Sequence, residues 1–180
     1  MPMLSTHDSM VLLVDMQSAL LPAIHDRERV LACAERLARA AQLLGVPVIA
    51  TEHYAGKIGS TDPMLKRWVD HVIHKTHFDA TRESHFRPDM PTGRTNVLLI
   101  GTEAHVCVLQ TGLGLARIGL TPILVTDCVG SRRLFDQQAA SSRWSHHGLE
   151  QITSEMAMFE WLETPDHPQF KEVLALIKAG

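Results

Sequence analysis

Val97-Leu98-Leu99-Ile100-Gly101-Thr102-Glu103-Ala104-His105-Val106-Cys107-Val108-Leu109 joins a short apolar run to a stretch whose apolar residues recur at helical spacing. Val97–Ile100 has the length and composition of a buried strand. Beyond Gly101, Val106, Leu109, Leu113, Ala116 and Leu120 fall three or four positions apart and form one stripe of a helix. The same grammar recurs upstream. Met10–Val14 is an apolar run, and Val30, Ala34, Leu37, Ala41 and Leu44 make a second stripe. Gly45 then suits a left-handed stop, and Pro47 prevents continuation into the next run, Pro47–Ala50. Pro122–Val125 and a segment near Gln151–Thr153 add further strands. Strands alternating with helices imply βαβ units, hence an α/β chain with a three-layer α-β-α, Rossmann-like fold and a mainly parallel central sheet. Gly112 and Gly114 oppose the second helix by about 1 kcal/mol each relative to Ala, unless another backbone packs closely there.

Working outward, His53 to Pro91 is rich in His, Asp, Pro and Gly and reads as loop with short helices, a length that suggests function. A short helix is expected from Ser154, and a terminal one over Gln169 to Lys178 after Pro168. With 180 residues, 45% hydrophobic content and no repeat or low-complexity linker, one domain over 1–180 is expected, with a core that needs no disulfide or structural metal. Seventeen basic and twenty acidic side chains give a net charge of −3, with no block of like charge, which argues against nucleic acid and anionic membrane as partners. The apolar runs are far shorter than the roughly 20 residues of a membrane-spanning helix. The first ten residues lack a basic segment followed by an apolar one, so a cytoplasmic location is expected.

Three residues stand out chemically. Asp15 directly follows the first apolar run, and an acid ending a buried strand needs a partner or a role; capping a loop is the plain alternative. Cys107 follows the third clear run, close to a helix N-terminus. A small buried hydrophobe is the bland reading of a lone cysteine, but a helix N-terminus and a neighbouring lysine would both favour the thiolate that a nucleophile needs. Lys75, in His74-Lys75-Thr76-His77-Phe78, is interesting only in company. Cys33, mid-helix, and Cys128, after a strand, read as packing residues, and the odd count without CxxC spacing gives neither a disulfide framework nor a zinc site.

The pieces Leu13-Val14-Asp15-Met16-Gln17, His74-Lys75-Thr76-His77-Phe78 and Gly101-Thr102-Glu103-Ala104-His105-Val106-Cys107-Val108 come in the order and approximate spacing of the isochorismatase-like cysteine hydrolases, which the chain resembles. It is similar over nearly its whole length to the isochorismatase domain-containing subgroup, through Val48-Ile49-Ala50-Thr51-Glu52-His53-Tyr54 and Thr153-Ser154-Glu155-Met156-Ala157-Met158-Phe159-Glu160. The resemblance implies a catalytic triad of Asp15, Lys75 and Cys107. It also implies a cis Thr102–Glu103 peptide that aims the backbone amides of Glu103 and Cys107 at one point, an oxyanion hole. It further implies a small-molecule substrate (an amide, carbamoyl or related acyl compound) and a homo-oligomer. Gln17, Tyr54 and Phe78 are candidate pocket residues.

Departures narrow the expectation. Nicotinamidases of this superfamily carry an Asp-x-His metal site after the second strand, where this chain reads Thr51-Glu52-His53. Isochorismatase itself lacks the cysteine. His71, His74 and His77, with His53 and His85, have no His-Glu-x-x-His pattern, so no metal and no cofactor are expected. Asp127 reads as a turn hydrogen-bonder, and Arg132 and Arg133 as a solvated face. The rival class is a non-catalytic scaffold or ligand-binding module that keeps the fold.

Overall fold

The computed structural model describes residues 3–179. Its centre is a six-stranded sheet of order β3-β2-β1-β4-β5-β6, parallel throughout, with β1 Ser9–Val14, β2 Val48–His53, β3 His71–Lys75, β4 Asn96–Thr102, β5 Thr121–Gly130 and β6 Glu150–Ile152. β1 and β4, at the centre, are almost wholly buried, which is why both read as continuous apolar runs rather than as alternation. Among the described residues eight α-helices accompany the sheet: α1 Arg27–Leu43, α2 Ala55–Ile58, α3 Pro63–Lys66, α4 Phe86–Asp89, α5 Leu109–Arg117, α6 Leu134–His146, α7 Ser154–Leu162 and α8 Phe170–Lys178.

Two cores divide the strands' side chains by parity. Val11 and Leu13 of β1 pack with Val30, Ala34, Leu37 and Ala41 of α1, with Leu65 of α3, and with Ala157, Trp161, Val173 and Leu176 of α7 and α8. Met10, Leu12 and Val14 face the opposite side, against Phe86 of α4, Leu109 and Leu115 of α5, and Ala140 and Trp144 of α6. Successive strand residues point to opposite faces, so one fully buried strand builds both cores. The three-layer expectation holds.

Three differences from the sequence reading have physical reasons. β3 lies inside the stretch read as loop: it is an edge strand with two exposed histidines, so no apolar run marks it. β2, β4 and β5 continue past their apolar runs through polar residues such as Thr51, Glu52 and Thr102, which are buried at the carboxyl edge of the sheet. α6 buries only Ala140 and Trp144, too narrow a stripe to stand out.

The two helix glycines do answer a close approach, though from side chains rather than backbone. A Cβ on Gly112 would sit 2.1 Å from the Trp144 ring, and one on Gly114 would sit 2.3 Å from an Asp79 carboxylate oxygen. Among the described residues, no helix is long and apolar enough to cross a membrane.

Candidate functional site

Strand order reverses between β1 and β4, because the chain leaves β1 toward β2 and β3 and then returns to β4 on its other side. The crevice beyond the carboxyl ends of such strands is where open α/β sheets gather ligands. Asp15 is the first residue past β1, Lys75 the last of β3, and Cys107 lies in the first turn after β4. The structure brings these three together. Lys75 Nζ is 2.7 Å from Asp15 Oδ2, with the two side chains 0% and 1% exposed, and Cys107 is near enough for both charges to act on its thiol.

The carboxylate is held on several sides. Thr51 Oγ1 donates to Asp15 Oδ1 at 2.7 Å, the Asp15 amide donates to the Thr51 carbonyl, and Thr102 Oγ1 donates to the Asp15 carbonyl at 2.6 Å. Asp15 itself has φ 49°, an uncommon left-handed value for a residue with a side chain. Oδ2 meets the ammonium through charge but accepts no well-aligned hydrogen bond. Lys75 also donates to the carbonyls of His77 and Phe78. Thr51 and Thr102 were not among the candidates read from the sequence. Only strand register, with Thr51 beside Val14, places them next to Asp15.

Cys107 differs from expectation in its titration. Burial first, then the Asp15 charge, push its thiol up to about 12, and Lys75 opposes them without prevailing. Desolvation of an ion inside the protein outweighs the lysine, so the resting sulfur is a thiol and not the thiolate expected from sequence. The turn before it also differs. No peptide bond among the described residues is cis, so Thr102–Glu103 is trans. The chain reverses instead through Glu103 in the left-handed region, at φ 56° and ψ 60°. The helix that follows opens with a wide π turn, Ala104–Val108, which carries Cys107.

The expected pocket residues separate. Tyr54 and Phe78 are about half exposed and flank the His53 ring, at 4.9 and 5.4 Å between centroids, forming an aromatic rim. Tyr54 also borders a cleft of about 710 Å³ lined by Lys57, His74, Lys75, Glu83 and His85. Gln17 corrects the reading made of it. It is fully buried, its amide donates to the carbonyls of His53 and Gly59, and its carbonyl accepts from the His53 amide. It therefore pins the loop after β2 and offers no free group to a ligand. His53, weighed in the sequence only as a metal ligand, stands beside the ion pair's charges instead. Its Nδ1 is buried without a partner, and burial, then the Lys75 charge, hold its ring below the usual imidazole value.

The other histidines of this stretch disperse: His71 lies on Asp89, His74 on Glu52 and His77 on Glu83, while His85 meets the His74 carbonyl. Asp127 accepts from the Ser154 amide and hydroxyl, and so caps the start of α7. Arg132 extends into solvent and pairs with Glu103 at 3.0 Å. A second cleft, of about 400 Å³ between α6 and β5, is lined by Leu134, Gln137, Ser141 and their neighbours, with no titratable group among them.

Comparison with known proteins bears on the fold and the family. The isochorismatase domain family matches residues 9–156. Isochorismatase domain-containing protein 1 of Danio rerio is 32% identical over 183 residues, covering 98% of this chain and 63% of that protein. Isochorismatase domain-containing protein 2 of Bos taurus is 35% identical over 170 residues, covering 94% of this chain and 83% of that protein. The chain thus spans about three fifths of the length of the first relative and four fifths of the second. The structure of MAR1 ribonuclease from Caenorhabditis elegans superposes with a TM-score of 0.92 at 32% identity, covering 98% of this chain and 93% of that one. With a family match over most of its length, a relative 32% identical over nearly all of the chain and a matching fold, the chain belongs to the isochorismatase family.

Proposed function

We propose that this protein is a cysteine-dependent hydrolase of a small amide, carbamoyl or related acyl compound, with Cys107 as nucleophile and Asp15 and Lys75 as its partners. The observation that supports this reading is the buried Asp15–Lys75 ion pair at the sheet's switch point, whose two charges both act on the Cys107 thiol. The thiol rests protonated, and Asp15 Oδ2, which accepts no aligned hydrogen bond, takes the proton as sulfur attacks the acyl carbon. Lys75 holds the carboxylate in place and favours the negative charge that gathers on the sulfur. With the Thr102–Glu103 peptide trans, the oxyanion hole expected from the Glu103 and Cys107 amides has no part in this scheme. Asp15 then protonates the departing amine, leaving a thioester. Water, losing its proton to Asp15, cleaves the thioester, and the thiol returns.

The rim of His53, Tyr54 and Phe78 suits a small planar substrate. The ribonuclease name belongs to the Caenorhabditis elegans protein; for this chain a net charge of −3 and a buried Cys107, 5% exposed, favour a small acyl compound over a nucleic acid. Exposed Leu134 and Phe135 on α6, with Met156 and Phe159 one turn apart on α7, support a homo-oligomer. The test is a panel of small amides and carbamoyl compounds assayed with wild type, Cys107→Ala and Asp15→Asn. Turnover that only the wild type shows supports the reading. Turnover undiminished in Cys107→Ala overturns it, and no turnover of any member by wild type favours the scaffold reading.

A further inference from the structure

The three-layer fold has a second sulfur site on the opposite face of the sheet from Cys107. Cys33, in the middle of α1, and Cys128, near the end of β5, lie 95 positions apart in sequence, yet their Sγ atoms are 2.7 Å apart. Both belong to the core built on α1 and α7, whereas Cys107 belongs to the other core. The pair has polar company. Cys33 Sγ is 3.2 Å from Asp127 Oδ2 and 3.4 Å from Ser154 Oγ, and Ser154 Oγ donates to the same carboxylate oxygen at 2.6 Å. Nothing in the proposed hydrolysis uses these groups.

We propose that Cys33 and Cys128 form a redox site, a dithiol that closes to a disulfide in the presence of hydrogen peroxide. The contact itself chooses between the two chemistries open to the cluster. Two cysteines and a carboxylate could also hold a metal ion, but thiolates bound to one tetrahedral zinc at about 2.3 Å stand about 3.8 Å apart. A 2.7 Å separation lies nearer the covalent distance of about 2.05 Å.

The neighbours also assign the roles. The hydrogen bond from Cys128 holds the Cys33 thiol below its ordinary value, while burial raises Cys128 well above its own. Cys33 gives its proton to Asp127, and its sulfur attacks one peroxide oxygen. The O–O bond breaks, and the hydroxide leaves as water with that proton, giving a sulfenic acid on Cys33. The Cys128 sulfur then attacks the Cys33 sulfur, the S–O bond breaks, and the hydroxyl departs as water with the Cys128 proton. Two thiols and one peroxide become one disulfide and two waters.

The test uses the full chain, wild type and Cys107→Ser, reduced, freed of reductant, treated with stoichiometric hydrogen peroxide and alkylated after denaturation. Before alkylation the expected product is two mass units lighter, after it two alkyl groups are missing, and a peptide map joins Cys33 to Cys128 in both proteins. Closing so long a loop is expected to raise Tm on the order of 10 °C, and dithiothreitol should reverse the change. Cys33→Ser and Cys128→Ser should each abolish the linked peptide. Because the map is made on the unsubstituted pair, it decides the matter even if those variants fold poorly. All three cysteines alkylated after peroxide, or oxygen added only at Cys107, would overturn the proposal. So would zinc at one ion per chain in the purified protein, with EDTA needed before either thiol can be alkylated.

Discussion

The buried ion pair gives the sharpest test of how the site is held. Lys75→Met keeps most of the side-chain length and removes the charge, leaving the Asp15 carboxylate, 1% exposed, without the ammonium 2.7 Å away. Breaking such a pair from one side costs about 3–5 kcal/mol, because the surviving charge stays desolvated and uncompensated. In urea, with a slope of about 2 kcal/mol per molar for a domain of this size, the unfolding midpoint should fall by roughly 1.5–2.5 M. Asp15→Asn alone should also destabilise, since it strands the lysine against the carbonyls of His77 and Phe78. The double variant carries no buried charge at this point and should recover most of the loss, because replacing a whole pair is often close to neutral. Circular dichroism on all four proteins closes the cycle, with an expected coupling of about 2–3 kcal/mol. If Lys75→Met costs under about 1 kcal/mol, or the two single losses simply add, the pair is not the desolvated unit described above and the reasoning fails.

Further expectations follow from other residues. With its thiol at about 12, Cys107 should react with iodoacetamide slowly at pH 7 and about tenfold faster per pH unit above it. A rate already maximal near pH 7 would show a resting thiolate. The same shift has a sign for stability: the folded thiol keeps its proton after the unfolded one has lost it, so this contribution is lost as pH rises from about 9 toward 12. Burial works to raise Glu83, but the amides of His77 and Thr76 and the His77 ring outweigh it and hold the carboxyl at about 2. Its contribution is therefore present above the ordinary glutamate range and lost as pH falls through it toward 2. Glu83→Gln should flatten that acid limb and loosen the loop whose carbonyls receive Lys75, read as a smaller fall in melting temperature between pH 5 and 3 than wild type shows. Gly112→Ala should destabilise by about 1–3 kcal/mol despite the better helix propensity, since its methyl would enter the Trp144 ring. A higher urea midpoint would contradict that packing.

The parts legible in the sequence are those that bury apolar surface in a regular period. β1 and β4 announced themselves because both faces are covered, and α1 because its stripe is continuous. β3 stayed hidden because an edge strand bearing His71 and His74 buries little, even though it delivers Lys75. Asp15, Lys75 and Cys107 each stand in a legible local motif, while the pairing of Asp15 with Lys75 depends on a strand order that no local pattern contains. Thr51 and Thr102 were illegible for the same reason: each becomes part of the site only through its neighbour in the sheet. The protonated state of Cys107 was misjudged because a helix N-terminus and a lysine can be read from position, whereas the depth of burial that outweighs them cannot. Gln17 shows the converse: proximity to Asp15 in sequence suggested contact with a ligand, yet its hydrogen bonds are consumed by the loop it secures.

The most direct measurement is acid quenching during turnover of an activated small acyl compound, followed by intact mass and peptide mapping. The account expects one acyl group on the peptide containing Cys107 in wild type, none in Cys107→Ala, and a much slower appearance in Asp15→Asn. An acyl group on another residue, or full hydrolysis by Cys107→Ala, would contradict it.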